Sequence, residues 1–328
     1  MKIISKISQA VIIAALVLGV SSCGDDDDGN IIIPTTNIVE TATADTDLSL
    51  LVTALAAADG DLVSVLNGTG PFTVLAPTDT ALQAYLDANG FADIAAVPTD
   101  VLQQLLLNHV IPGEVTSAIL TTNGSGYTET SSTAGPDGAI ISMYYNTTDG
   151  VVFNGGAKVT EEDVRASNGI IHKINAVIGL PDVTTFATVD PNFSRLAEAL
   201  TAHSFTYVTT LQEDGPFTVF APDNAAFDTL LATDNTWNVP GDIPEITLGT
   251  ALNLHVIPDV NVREADLADG EVSTLSGKVD IDATAKTVTD GSDPANVCNI
   301  VVTNIQATNG VIHSIDKVLL LPRLSIGN

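Results

Sequence analysis

Gly70-Pro71-Phe72-Thr73-Val74-Leu75-Ala76-Pro77-Thr78-Asp79 is met again 145 residues later as Gly215-Pro216-Phe217-Thr218-Val219-Phe220-Ala221-Pro222-Asp223-Asn224. Two further segments recur in the same order. His109-Val110-Ile111-Pro112 returns at an offset of 146 as His255-Val256-Ile257-Pro258, and Asn168-Gly169-Ile170-Ile171-His172 at 141 as Asn309-Gly310-Val311-Ile312-His313. Kept order with a drift of a few residues marks one domain duplicated in tandem, because a solenoid repeats every 20 to 50 residues or so. Pro181-Asp182 and Pro322-Arg323 close the copies, which gives domains over residues 37–181 and 182–322 and a tail over 323–328.

Both copies read alike. Asp47 is placed to cap a helix whose Leu48, Leu51, Val52 and Leu55 fall on one face, and the counterpart starts near Asn192 with Phe193, Leu196 and Leu200. A strand over 72–75 or 217–220 then ends at a proline. Thr78 and Asp223 stand at N-cap positions, and the following helix buries Leu82, Tyr85 and Leu86, or Phe227, Leu230 and Leu231. The second halves are β-rich, with Asn168-Gly169 and Asn309-Gly310 as hairpin-turn signals before a last apolar strand. Helices first and strands later indicate an α+β class, a sheet core carrying a helical layer.

These residues carry a resemblance. The stretch from Thr218 to Phe227 resembles the first signature motif of fasciclin (FAS1) domains, matched in the first copy by Thr73 to Asp79. His255 to Pro258 resembles the second motif and Asn309 to His313 the closing strand. The resemblance implies a β-sandwich or wedge with helices on one side, found in extracellular and surface-anchored adhesion proteins.

The chain has 328 residues, with 11 Lys plus Arg against 40 Asp plus Glu and a formal charge of -29. Neutralising phosphates takes clustered basic residues, so nucleic acid is excluded as a partner. With 45% hydrophobic residues, each copy can bury a core, and the acid must lie on the surface. Lys2 and Lys6 precede an apolar run from Ala10 to Val20 that is too short to span a bilayer and reads as a signal peptide over 1–22. Leu18 to Cys23 resembles a bacterial lipobox, which implies a lipid anchor on Cys23 in the outer membrane. The run Asp25 to Asp28 makes residues 23–36 a solvated tether, similar to the surface-export signal of one group of Gram-negative bacteria; it lacks the ligand spacing of an EF-hand.

Candidate site residues are few. His109, His255, His172 and His313 recur between copies, but no HxH or HExxH pair accompanies them, so they read as buried imidazoles bonded to backbone or to Thr78, Asp79, Asp223 or Asn224. In animal fasciclin domains a Tyr-His pair in the second motif is linked to integrin-dependent adhesion; Asn108-His109 and Leu254-His255 stand there without the tyrosine. Tyr127, Tyr144 and Tyr145 lie in the longer middle of the first copy as contacts for a glycan or protein partner, or as strand residues. Trp237 is equally open. Cys298 reads as a core residue. No nucleophile elbow, Walker loop or dinucleotide fingerprint occurs. The expectation is a non-catalytic, cofactor-free surface adhesion protein without a metal, binding a surface protein or polysaccharide; the alternative is a carrier of surface glycan or of a small apolar pigment.

Overall fold

The computed structural model describes residues 34–292 and 295–321. The first repeat begins with helices α1 (Ile38–Ala44), α2 (Ser49–Ala57) and α3 (Leu62–Leu66), followed by strand β1 (Phe72–Pro77). Next come α4 (Asp79–Asn89), α5 (Thr99–Asn108), β2 (Val110–Pro112) and α6 (Ser117–Asn123), then β3 (Ser125–Glu129), β4 (Ser142–Asn146), β5 (Val152–Phe153), β6 (Ala157–Ala166) and β7 (Gly169–Ile174). The second repeat runs α7 (Val183–Val189), α8 (Ser194–Thr201), α9 (Tyr207–Leu211), β8 (Phe217–Pro222), α10 (Asn224–Leu231), α11 (Glu245–Leu254) and β9 (Val256–Ile257). It ends with β10 (Gly270–Ser273), β11 (Lys278–Asp282), β12 (Thr287–Thr289), β13 (Val297–Ala307) and β14 (Gly310–Ile315).

Each repeat has one seven-stranded sheet, and the two share one order: β2-β1-β7-β6-β5-β4-β3 and β9-β8-β14-β13-β12-β11-β10. The signature strands β1 and β8 lie parallel to β7 and β14, the closing strands of their repeats. Register shifts interrupt both β6–β7 and β13–β14, and such bulges bend a strand and raise its twist. Each sheet therefore folds over on itself as a wedge with two apolar layers. Val74 and Ala76 of β1 pack with Leu51, Leu82 and Leu106 of the helices, whereas Leu75, between them in sequence, packs with Met143, Tyr145 and Phe153 inside the wedge. Alternation along one strand serves both layers. The α+β expectation holds.

Local chemistry corrects two expectations. Asp47 does not cap the first long helix: the side chain of Asp45 caps a short 3₁₀ turn over Thr46–Leu48, and Leu48, at the N-cap position of α2, supplies no side-chain cap. The helix's orphan amide is met from across the fold, since Leu50 N donates to Asp79 Oδ1 at 2.8 Å. The second repeat does the same with Asp190 as the local cap and Asn224 reaching the Arg195 amide at 2.9 Å. Nor is Asn-Gly the hairpin turn. Ala166 pairs with Gly169 and Ala307 with Gly310, so the turns are Ser167-Asn168 and Thr308-Asn309. The glycines open the closing strands, where a Cβ on Gly169 would stand 2.0 Å from the Phe72 carbonyl oxygen and one on Gly310 2.3 Å from that of Phe217. They are needed for close strand approach.

From His109 to His172 is 63 residues against 58 from His255 to His313, and this net excess of five conceals a larger exchange. The β3–β4 connection spans 130–141 against 274–277 between β10 and β11, and the chain from β4 to β7 is correspondingly shorter than from β11 to β14. Cys23, the acidic run and Pro322-Arg323 lie outside the described residues. No described helix is long and apolar enough to cross a membrane.

Candidate functional site

The signature motif builds a scaffold. Thr78 and Asp223 cap α4 and α10, accepting from Ala81 N and Ala226 N, while Asp79 and Asn224 hold the neighbouring helix as described above. The closing motif contributes a clamp. Asn168 Oδ1 accepts from Ile38 N at 2.9 Å and Nδ2 donates to the carbonyls of Leu66 and Gly68. Asn309 repeats this with Val183 N, Leu211 and Glu213. One turn side chain thus ties the sheet to two helices in each repeat.

All four repeated histidines are buried. His109 Nδ1 lies 2.8 Å from Leu105 O and its Nε2 accepts from Ile178 N at 2.9 Å; His255 does the same with Ala251 O and Leu319 N. These partners fix a neutral imidazole protonated on Nδ1, and burial lowers both histidines to about 4. His172 and His313 bond Val115 O and Val262 O through Nε2; burial also lowers His313. The bonds go to backbone and not to Thr78, Asp79, Asp223 or Asn224. Among the described residues no group of three His, Cys, Asp or Glu side chains is placed to hold a metal ion.

The second-motif positions cannot serve as contact surface as they stand. Asn108 and Leu254 are 0% exposed, with Asn108 Nδ2 donating to the Ile178 and Gly179 carbonyls and Leu254 in the wedge core. The helix that carries them turns this face inward to reach β2 or β9. Beneath each histidine, between helices and sheet, lies an apolar cavity of about 20 Å³ in the first repeat and about 40 Å³ in the second. Apolar spaces of this size stay dry, because a buried water needs about two to four polar partners.

The tyrosines are on strands and not on polar loops. Tyr145 faces the wedge core. Tyr127 and Tyr144 face each other across β3–β4 and point outward, where the second repeat covers them. Tyr144 is 2% exposed and belongs to the apolar cluster of Phe186, Phe193 and Ile305. Tyr127 meets Phe186 edge-on with centroids 5.6 Å apart and donates its hydroxyl to Asp190 Oδ2 at 2.8 Å. Burial first, and then the Asp190 carboxylate, raises the Tyr127 phenol well above its usual value. Gln306 N donates to Ser142 Oγ at 3.0 Å, and Thr308 N to Pro181 O at 2.8 Å. The joint is therefore packed and apolar at its centre, with its few polar groups paired. Beside it opens a cleft of about 470 Å³ walled by Tyr127, Asp190, Asp223, Asn224, Val301 and Val302.

Two copies of one wedge, with the same strand order and the same asparagine clamp, are what a duplicated module requires. A model of the fasciclin domain matches residues 46–181 and again 191–322. The chain belongs to the fasciclin family. Transforming growth factor-beta-induced protein ig-h3 of Sus scrofa is 28% identical over 274 residues, covering 78% of this chain and 35% of its own length. Protein sll1483 of Synechocystis is 38% identical over 141 residues, 43% of this chain and 72% of that protein. Among solved structures, a FAS1 domain pair from the insect cell adhesion molecule fasciclin I aligns with a TM-score of 0.48 and 19% identity, over 82% of this chain and 95% of that one. The chain thus spans about a third of the length of the ig-h3 relative. Fasciclin domains are non-catalytic modules of cell-adhesion and extracellular interaction proteins.

One surface feature was missed in the sequence. Leu230, Trp237, Ile246 and Leu320 line an apolar groove of about 430 Å³ on the second repeat, with Ile246 85% exposed. The signal was available: Ile246 sits in the first turn of α11 after Pro244-Glu245, where the first repeat has Asp100.

Proposed function

We propose that the chain is a surface-anchored, non-catalytic adhesion or interaction protein, holding a rigid pair of fasciclin repeats beyond the outer membrane on a lipidated Cys23 and an acidic tether. The observation that carries this is the packed joint. A pair fixed through Tyr127, Tyr144 and Phe186 acts as one presenter, and a flexible string of modules would lose ordering entropy at each contact. The partner is a surface protein or polysaccharide. Net charge on the folded repeats keeps non-specific partners away, so recognition is local. Protease shaving of intact cells tests the location: the repeats are expected to be released while the cell stays intact. Substituting Cys23→Ala is expected to abolish membrane retention, and full protection from protease would contradict surface display.

A further inference from the structure

The same surface differs between the two repeats in a way that bears on how repeats join. Across β3–β4, Tyr127 pairs with Tyr144; across β10–β11, Glu271 pairs with Asp280. The positions are equivalent. In both repeats the next residue along faces the wedge core, Tyr145 beside Gly126 in one and Ile281 beside Gly270 in the other. The outward-facing Ser142 likewise becomes Lys278, and Asn146 becomes Asp282.

The receiving side changes in step. Val302 pairs with Ser314 just past the first register shift of β13, and Glu161 pairs with Lys173 at the matching step of β6. Phe186, which receives Tyr127, corresponds to Thr41 by its place in the capped helix. Asp190 and Asp45 both accept the amide two residues on through Oδ1. The other oxygen differs in what it holds: in the second repeat the Tyr127 hydroxyl, in the first the ammonium of Lys173, which also pairs with Glu161 at 2.9 Å.

We propose that the cross-strand pair on this outer ladder, with its counterpart around Asp45 or Asp190, decides whether a fasciclin repeat docks another: two tyrosines accept a neighbour and two carboxylates refuse it. A joint of this kind is heterologous, so a repeat that kept both apolar faces would add further copies head to tail without closing. Here the two complementary faces are already joined within the chain. Seating a second copy's first repeat on the outer face of the second repeat would bury Glu271, Asp280 and Asp282 against Asp45 and Glu161, with Lys278 on Glu271 and Lys173 on Asp45 and Glu161 as the counter-charges; two ammonium groups against five carboxylates leave a net buried negative charge, which is strongly unfavourable.

Two experiments on the full-length chain test this. In the first, Tyr127→Glu with Tyr144→Asp gives the joint the refusing pair. Proteolysis at the 180–185 junction is expected to rise about tenfold or more as the repeats part, each still folded by its own melting transition; an unchanged cleavage rate with both substitutions present would overturn the proposal. In the second, one chain carries Glu271→Tyr, Lys278→Ser, Asp280→Tyr and Asp282→Asn. Another carries Thr41→Phe, Thr160→Val, Glu161→Val and Lys173→Ser. By sedimentation each is expected to be monomeric alone and the mixture to form a one-to-one complex that wild type does not form. A mixture that stays monomeric although both chains melt cooperatively would contradict the proposal, as would wild-type chains that already associate through these faces.

Discussion

His109 and His255 show how a repeated, chemistry-bearing residue can be structural. Each donates from Nδ1 to a carbonyl one helical turn back and accepts at Nε2 from an amide beyond its sheet, so protonating Nε2 would set two donors against each other. With a folded value near 4 against an unfolded 6.5, each binds its proton more readily when unfolded. Stability is therefore complete above about pH 6.5 and is lost as pH falls from there toward 4, by about 3 kcal/mol per histidine. Asp45 and Glu264, held low chiefly by hydrogen bonds to Lys173 and Lys286, lose their contribution only further down. Urea midpoints measured across this range are expected to fall steadily in wild type, whereas a His109→Gln, His255→Gln chain is less stable at neutral pH but flatter below it. Equal slopes would show that other groups carry the acid sensitivity. The sequence made these histidines legible as buried because each borders an apolar strand. Their partners were not legible, since Ile178 and Leu319 lie over 60 residues away in segments without a recurring motif.

At the level of elements, the closing hairpin ties each wedge to its helices through one side chain. Asn168→Ala would leave the Ile38 amide and the Leu66 and Gly68 carbonyls without their partner, and Asn309→Ala would do the same in the second repeat. Each change is expected to cost about 2–4 kcal/mol and to lower the melting temperature of its repeat by roughly 5–12 °C. Scanning calorimetry that finds a loss typical of an exposed turn residue would contradict the clamp. The strand and helix order was readable from periodicity and the three repeated motifs. The fold-over of the sheet was not, because it depends on bulges in β6 and β13 that leave no two-residue period to count. Asp47 misled for a related reason: the amide it would cap is satisfied by Asp79 from a helix about thirty residues on, a contact that local spacing does not encode. Tyr127 and Tyr144 stay open between partner contacts and strand residues in the sequence because their segment is rich in Gly, Asn and Thr; they lie on strands, and the neighbour they meet is the second repeat.

The whole molecule carries its acid on folded surface. Without its first 22 residues it keeps 9 basic against 40 acidic residues, and only four of the acids belong to the run after Cys23. Self-repulsion of this kind weakens the compact state and is screened by salt. The melting temperature is expected to rise from low to seawater-like ionic strength; a flat profile would show that the acids are spaced too widely to interact. Salt should act on both repeats alike, since both bear the excess. The central claim is that a fixed fasciclin pair at the cell surface mediates attachment. It is tested most directly by comparing adhesion of native cells with cells lacking the gene and with cells restored by the wild-type or the Tyr127→Glu, Tyr144→Asp chain. Attachment is expected to fall on deletion, to return with wild type, and to return only in part when the joint is opened. Attachment to surfaces and to neighbouring cells that is unchanged by deletion would contradict the account.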